Sequence, residues 1–351
     1  MRVAMITLNV YSNYGNMLQK YALYRALNNF ADFAEVLWNH TTIPFLPYKL
    51  EIDRWEEGNR KDTAFVSVRQ YKIKEFHDAN IRTRFDIPYL EDLADEYDFF
   101  VIGSDQVWNP EFNVPDKFLD FAPPEKRIAY AASITVPELP EEVQETYRQK
   151  ISEMAYVSIR EKEGCDLVEK LTGKRPLQVL DPVFLLTADE WRKLEKRPLW
   201  LDSKIYDNGY LLTYFFNGKP PKDVYSLAKK LGLPMVNLLD FNNFNHYANG
   251  IEEFLYLIDN ATLICTQSFH GMSFASMFHK PFVIYKVGKL RTRFSRIGSL
   301  LELFDLSEHV ADKTLRFTAE DPLKIDFTRF DEVLPLERKK AFKFLSKALW
   351  Q

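Results

Sequence analysis

Short apolar runs alternate with longer stretches in which apolar residues recur every three or four positions. After the run at residues 3–8, apolar side chains at 17, 18, 22, 23 and 27 line one face of a helix over 15–27, and a second run follows at 34–38. This order of strand, helix and strand is typical of a parallel βαβ unit. We predict further strands at 99–102, 127–131, 156–159 and 177–180, and helices at about 141–154, 163–172 and 188–195.

The periodic pattern fails at residues 195–209, where proline and turn residues accumulate, and this segment is predicted to be a linker. The pattern then restarts with strands at 210–216, 235–238, 262–266 and 282–286 and helices at 222–231, 251–260, 269–279 and 293–303. We predict an α/β fold of two Rossmann-like domains that face a cleft. Its parts are residues 1–200 with an irregular insertion at about 41–98, residues 208–335, and a closing helix at 336–351.

Composition and length agree with two packed domains. At roughly 150 residues per domain, 351 residues with 46% apolar content suffice for two cores and a cleft between them. The balance of 46 basic and 50 acidic residues excludes the charge pattern of a nucleic-acid-binding protein. Cys165 and Cys265 match neither a metal-ligand spacing nor a disulfide framework. With no signal peptide and no apolar window of roughly 18 residues, we expect a cytoplasmic protein with at most peripheral membrane contact.

The segment from Phe99 to Pro110 holds the first candidate site, because an apolar run ends abruptly in Gly103-Ser104-Asp105-Gln106. Ligands of open α/β sheets bind at the carboxyl ends of strands, and glycine permits close backbone approach there. Asp105 could orient or deprotonate a sugar hydroxyl, or only form an Asx turn. Gln106 and Asn109 would bond a polyhydroxylated ligand. Trp108 either provides an apolar surface on which this ligand packs or is an ordinary core residue.

His270 is the strongest single candidate. Ser268 has the position of a helix N-cap, which would leave the N–H groups of Phe269, His270 and Gly271 free to bind an anion. The alternative is a histidine that merely satisfies its own hydrogen bonds. The other five histidines, at positions 40, 77, 246, 279 and 309, have no comparable setting and form no metal-ligand cluster. We therefore expect no metal and no cofactor.

Cations and a second helix start complete the candidate chemistry. Arg160 closes an apolar run as Asp105 does, and a basic group follows at Lys289, Arg291, Arg293 and Arg296. Arginine forks suit carboxylate and phosphate, although Lys289 and Arg291 individually fit a solvated loop better. The turn from Asn13 to Asn16 begins the first helix and could bind an anion, unless Gly15 only permits a tight turn. No dinucleotide fingerprint or P-loop is present.

Together these motifs resemble the polysaccharide pyruvyl transferase family. In family order they are Asn13-Tyr-Gly-Asn16 with Leu18-Gln19 and Tyr21-Ala-Leu23, Gly103-Ser-Asp-Gln-Val-Trp-Asn-Pro110, Ser158-Ile-Arg-Glu161, Asp181-Pro182, Ser268-Phe-His-Gly271, Pro281-Phe282 and Arg296-Ile-Gly-Ser-Leu-Leu301. The resemblance runs from about residue 3 to about residue 305, and the string from Gly103 to Pro110 is specific to the family.

The resemblance implies a GT-B-like protein that moves a pyruvyl group from phosphoenolpyruvate, as co-substrate, to a sugar. The acceptor would be a bacterial-type surface polysaccharide or its lipid-linked precursor, and the product a pyruvyl ketal. His270 and Asp105 would be catalytic. Donor binding would use Arg160, Ser268, Phe269, Gly271, Arg293 and Arg296. Acceptor binding would use Asn13, Tyr14, Gly15, Asn16, Gly103, Ser104, Gln106, Trp108 and Asn109.

One residue departs from the family pattern. Members with established ketal-forming activity tend to carry an arginine two positions before the motif histidine, where this chain has Ser268. Arg160 and Arg293 or Arg296 are the available substitutes. Two alternatives stay open: a GT-B glycosyltransferase that uses a nucleotide sugar, and a non-catalytic glycan-binding member of the family.

Overall fold

The computed structural model describes residues 1–38, 62–85, 87, 89–112, 114, 116–216, 218–287, 294–311 and 321–350. Its first sheet is wholly parallel in the order β3-β2-β1-β4-β5-β6-β7. The strands are β1 Arg2–Ile6, β2 Phe33–Trp38, β3 Thr83–Phe85, β4 Phe99–Ile102, β5 Arg127–Ala132, β6 Tyr156–Ile159 and β7 Leu177–Gln178. The strand order reverses between β1 and β4, and such a switch point opens a crevice at the carboxyl ends of the strands.

Both faces of this sheet are covered, which explains its near-continuous apolar strands. Along β1, Val3 and Met5 belong to one core cluster and Ala4 and Ile6 to the other. The helices of this half are α1 Tyr14–Leu27, α2 Asp62–Asn80, α3 Glu141–Ser152, α4 Lys162–Thr172 and α5 Ala188–Arg192.

The second sheet is also parallel, in the order β11-β10-β8-β9. Its strands are β8 Leu211–Tyr214, β9 Met235–Leu238, β10 Leu263–Thr266 and β11 Phe282–Ile284. The helices after β8 are α6 Lys222–Leu231, α7 Phe244–Tyr247, α8 Ile251–Asp259, α9 Phe269–Met277, α10 Ser295–Leu303 and α11 Thr328–Leu349. Two Rossmann-like halves are therefore confirmed, while the domain boundaries at 200 and 208 stay a prediction.

The predicted irregular insertion at 41–98 is wrong over its described part. Helix α2 occupies residues 62–80, and β3 extends the first sheet beside β2. Residues 41–61 lie outside the described residues. Helix α2 also contacts the second half, because Lys72 Nζ lies 2.7 Å from Glu253 Oε1.

The closing helix begins earlier than predicted, at Thr328 rather than at residue 336. Pro335, one residue before the predicted start, lies in the helix interior. Helix α11 returns to the first half of the chain, where the Arg338 guanidinium donates to the carbonyls of Phe184 and Leu186 at 2.8 and 3.1 Å. No described helix has both the length and the apolar character to cross a membrane.

Candidate active site

Polar side chains that follow three strands of the first sheet meet at its carboxyl edge. Asp105 follows β4, Arg160 follows β6 and Asp181 follows β7. All three are buried, with 7%, 5% and 1% of their surfaces exposed. Parallel strands bring their carboxyl ends to one edge, so residues far apart in sequence form one cluster there.

These residues form a chain of ion pairs that reaches the second half of the protein. Arg160 Nη2 donates to Asp105 Oδ1 at 3.1 Å, and Arg160 Nη1 donates to Asp181 Oδ2. Arg296, in the first turn of α10, donates from Nη1 to the same Asp105 Oδ1 at 3.3 Å. Asp105 therefore joins two arginines that come from the two halves.

His270 stands at the other end of the chain of ion pairs. It lies in the first turn of α9, and its Nε2 is 3.5 Å from Asp181 Oδ2 but makes no hydrogen bond. The predicted N-cap is confirmed, because Ser268 Oγ accepts from the N–H of Gly271 at 3.2 Å. That N–H is consequently not free for a ligand, contrary to the sequence-based expectation.

Gly15 lets α1 approach His270 closely. A Cβ placed on Gly15 would lie 2.0 Å from His270 Nδ1 and 2.5 Å from its Cγ, closer than real atoms come. Gly15 does not have a positive φ, so the close approach of the imidazole, rather than a tight turn, requires glycine here. This contact sets the turn from Asn13 to Asn16 beside the candidate catalytic histidine.

The Gly15→Ala variant is expected to lose most activity, because its methyl group and the His270 ring claim the same space. The loss cannot come from helix propensity, since alanine favours a helix more than glycine does. The matched control is Gly298→Ala in α10, whose Cβ would make an ordinary 3.5 Å contact with Phe294. Turnover and thermal unfolding of both variants test this, and equal activity in the two would contradict the close-packing argument.

Phe269, the first residue of α9, lies beside both arginines. The Arg160 guanidinium is 4.9 Å and the Arg296 guanidinium 5.9 Å from the centre of its ring. Such stacking holds planar cations in place and leaves their edges for hydrogen bonding. The Nε atoms of both arginines are buried and have no hydrogen-bond partner. The site thus has spare donors for an anion.

Burial and the surrounding cations act in opposite directions on the two aspartates. Burial favours the neutral acid at Asp105, but the charges of Arg160, Arg296 and His270 outweigh it and lower its pKa. At Asp181 burial is again opposed, here by His270 and Arg160, and the pKa falls well below its usual value. Both carboxylates are therefore ionised at neutral pH.

Gly103 and Ser104 bond within the protein rather than facing a ligand. A Cβ on Gly103, whose φ is +145°, would lie 2.0 Å from the carbonyl oxygen of Tyr130. Ser104 is fully buried, its Oγ donates to the Ala131 carbonyl at 2.7 Å, and its N–H donates to Gln19 Oε1 at 3.0 Å. Their role is to fix the backbone that carries Asp105.

Three other residues predicted to bind the acceptor are likewise used in internal packing. Trp108 is fully buried and donates from Nε1 to the Lys117 carbonyl at 2.7 Å, so it is a core residue and not an exposed platform. Tyr14 stacks on Phe254 with ring centres 4.4 Å apart. Asn109 is buried and donates to Gln106 Oε1 at 3.0 Å.

Asn16 and Gln106 remain the best placed of the predicted acceptor residues. Asn16 is 2% exposed, and neither atom of its side-chain amide has a hydrogen-bond partner. Gln106 is half-buried at the sheet edge beside Asp105. Asn13 is exposed and caps α1, because its Oδ1 accepts from the N–H of Asn16 at 3.1 Å. A buried amide without partners is expensive unless a ligand or water completes its hydrogen bonds.

Three cations of the sequence analysis lie outside the described residues: Lys289, Arg291 and Arg293. Conversely, the site contains two acids, Asp181 and Glu161, that the sequence analysis named only as motif residues and gave no role. Asp181 bonds Arg160, and Glu161 Oε1 accepts from the N–H groups of Ile134 and Thr135 at 2.9 and 3.2 Å. Asp181 directly follows the apolar run at 177–180 and precedes Pro182, which is the same signal that marked Asp105.

Within the described residues, no group of three or more His, Cys, Asp or Glu side chains could hold a metal ion.

Two parallel Rossmann-like halves with a charged site between them define a protein of the GT-B-like structural class. The model of the polysaccharide pyruvyl transferase family matches residues 13–287, and the chain belongs to that family. The match covers the turn at Asn13, the Asp105, Arg160 and Asp181 part of the ion-pair chain, and the helix start at His270, and it ends before Arg296. No curated protein matches the chain in sequence.

Solved structures with similar folds are distant in sequence. UGT89C1 from Arabidopsis thaliana aligns with 100% of this chain and 99% of its own, with a TM-score of 0.50 and 11% identity. The UDP-GlcNAc 2-epimerase from Neisseria meningitidis, bound to UDP-GlcNAc, aligns over 99% of both chains with a TM-score of 0.49 and 12% identity. At such identities the similarity concerns the fold alone.

Proposed function

We propose that the protein transfers a pyruvyl group from phosphoenolpyruvate to a sugar and forms a pyruvyl ketal. The acceptor is a surface polysaccharide of bacterial type or its lipid-linked precursor. The observation that carries the proposal is the convergence of Arg160, Arg296 and His270 on one buried cluster between the two halves. Family membership supports a transferase that acts on a sugar acceptor.

The donor's chemistry fits this cluster. Phosphoenolpyruvate carries a carboxylate and a phosphate, and each is a good acceptor for an arginine fork. Helices α9 and α10 begin at Phe269 and Ser295, and their first turns contain His270 and Arg296. The N-terminus of a helix carries a partial positive charge, which adds to the attraction for an anion.

Arg296 supplies the positive charge that other family members obtain from the arginine at the position of Ser268. Ser268 Oγ is used as the N-cap of α9, whereas Arg296 lies beside Phe269 and bonds Asp105. Burial and the charge of Arg160 lower the pKa of Arg296 to about 10, which leaves it protonated at neutral pH. The donor site therefore keeps two arginines despite the departure from the family pattern.

The reaction requires a proton at C3 of the donor and two bonds from sugar oxygens to C2. Protonation at C3 makes C2 electrophilic, and a first hydroxyl adds there and loses its proton. The bond from C2 to the phosphate oxygen then breaks, and a second hydroxyl closes the ketal. Of the two hydroxyl protons, one balances the proton gained by C3 and one leaves with the phosphate. His270 either donates the proton to C3 or holds the phosphate, and Asp105 positions or deprotonates the first hydroxyl.

Asn16 and Gln106 bind the acceptor sugar in this proposal. Gln106 directly follows Asp105, Asn16 directly follows Gly15, and the unpartnered amide of Asn16 can both donate to and accept from sugar hydroxyls. The reaction belongs on the cytoplasmic side, with at most peripheral contact to the inner face of the membrane, because phosphoenolpyruvate is a cytoplasmic metabolite.

Thermal unfolding with candidate donors tests the proposal. A ligand at a hundredfold excess over its dissociation constant stabilises the native state by roughly 2.7 kcal/mol. We expect such a shift with phosphoenolpyruvate and much less with uridine or guanosine diphosphate sugars. A shift with a nucleotide sugar alone would favour glycosyl transfer, and no shift with any donor would favour a non-catalytic glycan-binding protein.

A further inference from the structure

Asp105 occupies the place where the arginines would bind an anion. A single oxygen, Oδ1, accepts from Arg160 Nη2 at 3.1 Å and from Arg296 Nη1 at 3.3 Å. The Asp105 backbone has a φ of 62°, in the left-handed region that aspartate tolerates better than most residues. That conformation turns its carboxylate toward the two guanidinium groups.

One carboxylate does not satisfy both arginines. The Nε atoms of Arg160 and Arg296 are buried without a hydrogen-bond partner. Buried guanidinium donors are normally paired, because an unpaired one loses its hydration without compensation. The arrangement is therefore what a binding site for a larger anion looks like when an internal carboxylate fills part of it.

The charge count leads to the same conclusion. The negative charges of Asp105 and Asp181 already balance the positive charges of Arg160 and Arg296, and only a protonated His270 adds a further positive charge. An anionic donor that entered the cluster would meet the Asp105 carboxylate at close range. Like charges at such distances repel strongly in a buried site.

We infer that Asp105 is an internal competitor of the donor, bound to Arg160 and Arg296 until the donor's anionic groups replace it. This inference rests on the proposed function and adds to it an order of events. Once displaced, Asp105 loses the charges that lower its pKa, while the burial that raises the pKa remains. Asp105 then accepts the proton of the first sugar hydroxyl as that oxygen bonds to C2 of the donor. The base becomes effective only after the donor is bound.

The affinity of the Asp105→Asn variant for phosphoenolpyruvate is the decisive measurement. Removing the competing charge should tighten binding in isothermal titration by about tenfold, which corresponds to about 1.4 kcal/mol, while transfer is lost. The matched control is Asp181→Asn. Asp181 contacts Arg160 and His270 but not Arg296, so its loss misplaces the donor site and should weaken binding.

Weaker or unchanged binding by Asp105→Asn would overturn the inference and leave the proposed function standing. Failure of the wild-type protein to bind phosphoenolpyruvate would instead overturn the proposed function and the inference with it. The two failures are therefore distinct.

A measurement on the wild-type protein keeps the inference testable if Asp105→Asn does not fold. Titration with phosphoenolpyruvate at mildly acidic pH, in buffers of different ionisation enthalpy, reports proton uptake on binding. We expect uptake in the wild type and in His270→Asn, because a displaced Asp105 gains proton affinity. Binding without proton uptake in both proteins would contradict displacement.

Discussion

Replacing His270 by asparagine is expected to lower transfer by about 10² to 10⁴, the usual range for a group that assists proton transfer or stabilises a developing charge. His270 lies at the N-terminus of α9, 3.5 Å from Asp181 Oδ2, and its Nε2 makes no hydrogen bond. A ring with an unused nitrogen at this position is available to a ligand. The fold should survive, because Asp181 loses only the 3.5 Å contact with His270 and keeps its ion pair with Arg160.

Steady-state turnover and chemical denaturation of His270→Asn distinguish a catalytic role of His270 from a role in packing alone. The matched control is His279→Asn, since His279 is half-exposed and pairs with Asp331 at 2.9 Å on the surface. A large loss of unfolding free energy with normal turnover would mean that His270 only packs against Gly15. Near-wild-type turnover in a folded variant would remove His270 from the mechanism.

The Arg160→Met variant should be destabilised by about 3–5 kcal/mol, the typical result of removing one partner from a buried ion pair. Arg160 is 5% exposed and bonds Asp105 and Asp181 through different nitrogen atoms. Its removal leaves two buried carboxylates without that counter-charge. Denaturant titration measures this loss directly.

Arg160→Lys tests the binding role separately from stability. Lysine keeps the charge but has a single ammonium group in place of the planar fork, so it cannot reproduce both bonds. We expect a smaller loss of stability than in Arg160→Met, and at least about a tenfold loss of phosphoenolpyruvate affinity. Arg175→Lys is the control, because Arg175 is exposed and pairs with Asp166 and Glu169 on the surface. Unchanged affinity in Arg160→Lys would mean that Arg160 is only structural.

Most strands could be predicted because a fully buried parallel strand is a short apolar run with clear ends. The strands at Phe99–Ile102 and Met235–Leu238 begin and end at the predicted residues. The sequence analysis did not predict helix α2, because the apolar pattern of this helix is interrupted. Its buried face includes Arg69 and His77 between apolar residues, and polar side chains at those positions hide the helical period.

The sequence by itself determined which strands and helices end or begin at polar residues. It thereby determined the candidate site residues Asp105, Arg160, Ser268 and His270. A strand end or a helix cap is a local event, so its signal lies within a few neighbouring residues. The family resemblance rests on the same short motifs. None of them specifies what lies beside it in space.

The tertiary structure alone decided how these residues meet. Asp105 and Arg296 are 191 positions apart, yet they bond because the two halves close around the site. Only the packing shows that residue 15 must be glycine because a larger side chain would collide with His270. It also shows that Trp108 is a core residue and that Asp105 lies between two arginines. Contacts between elements depend on how two sheets and their helices pack, and that arrangement has no local signature in the chain.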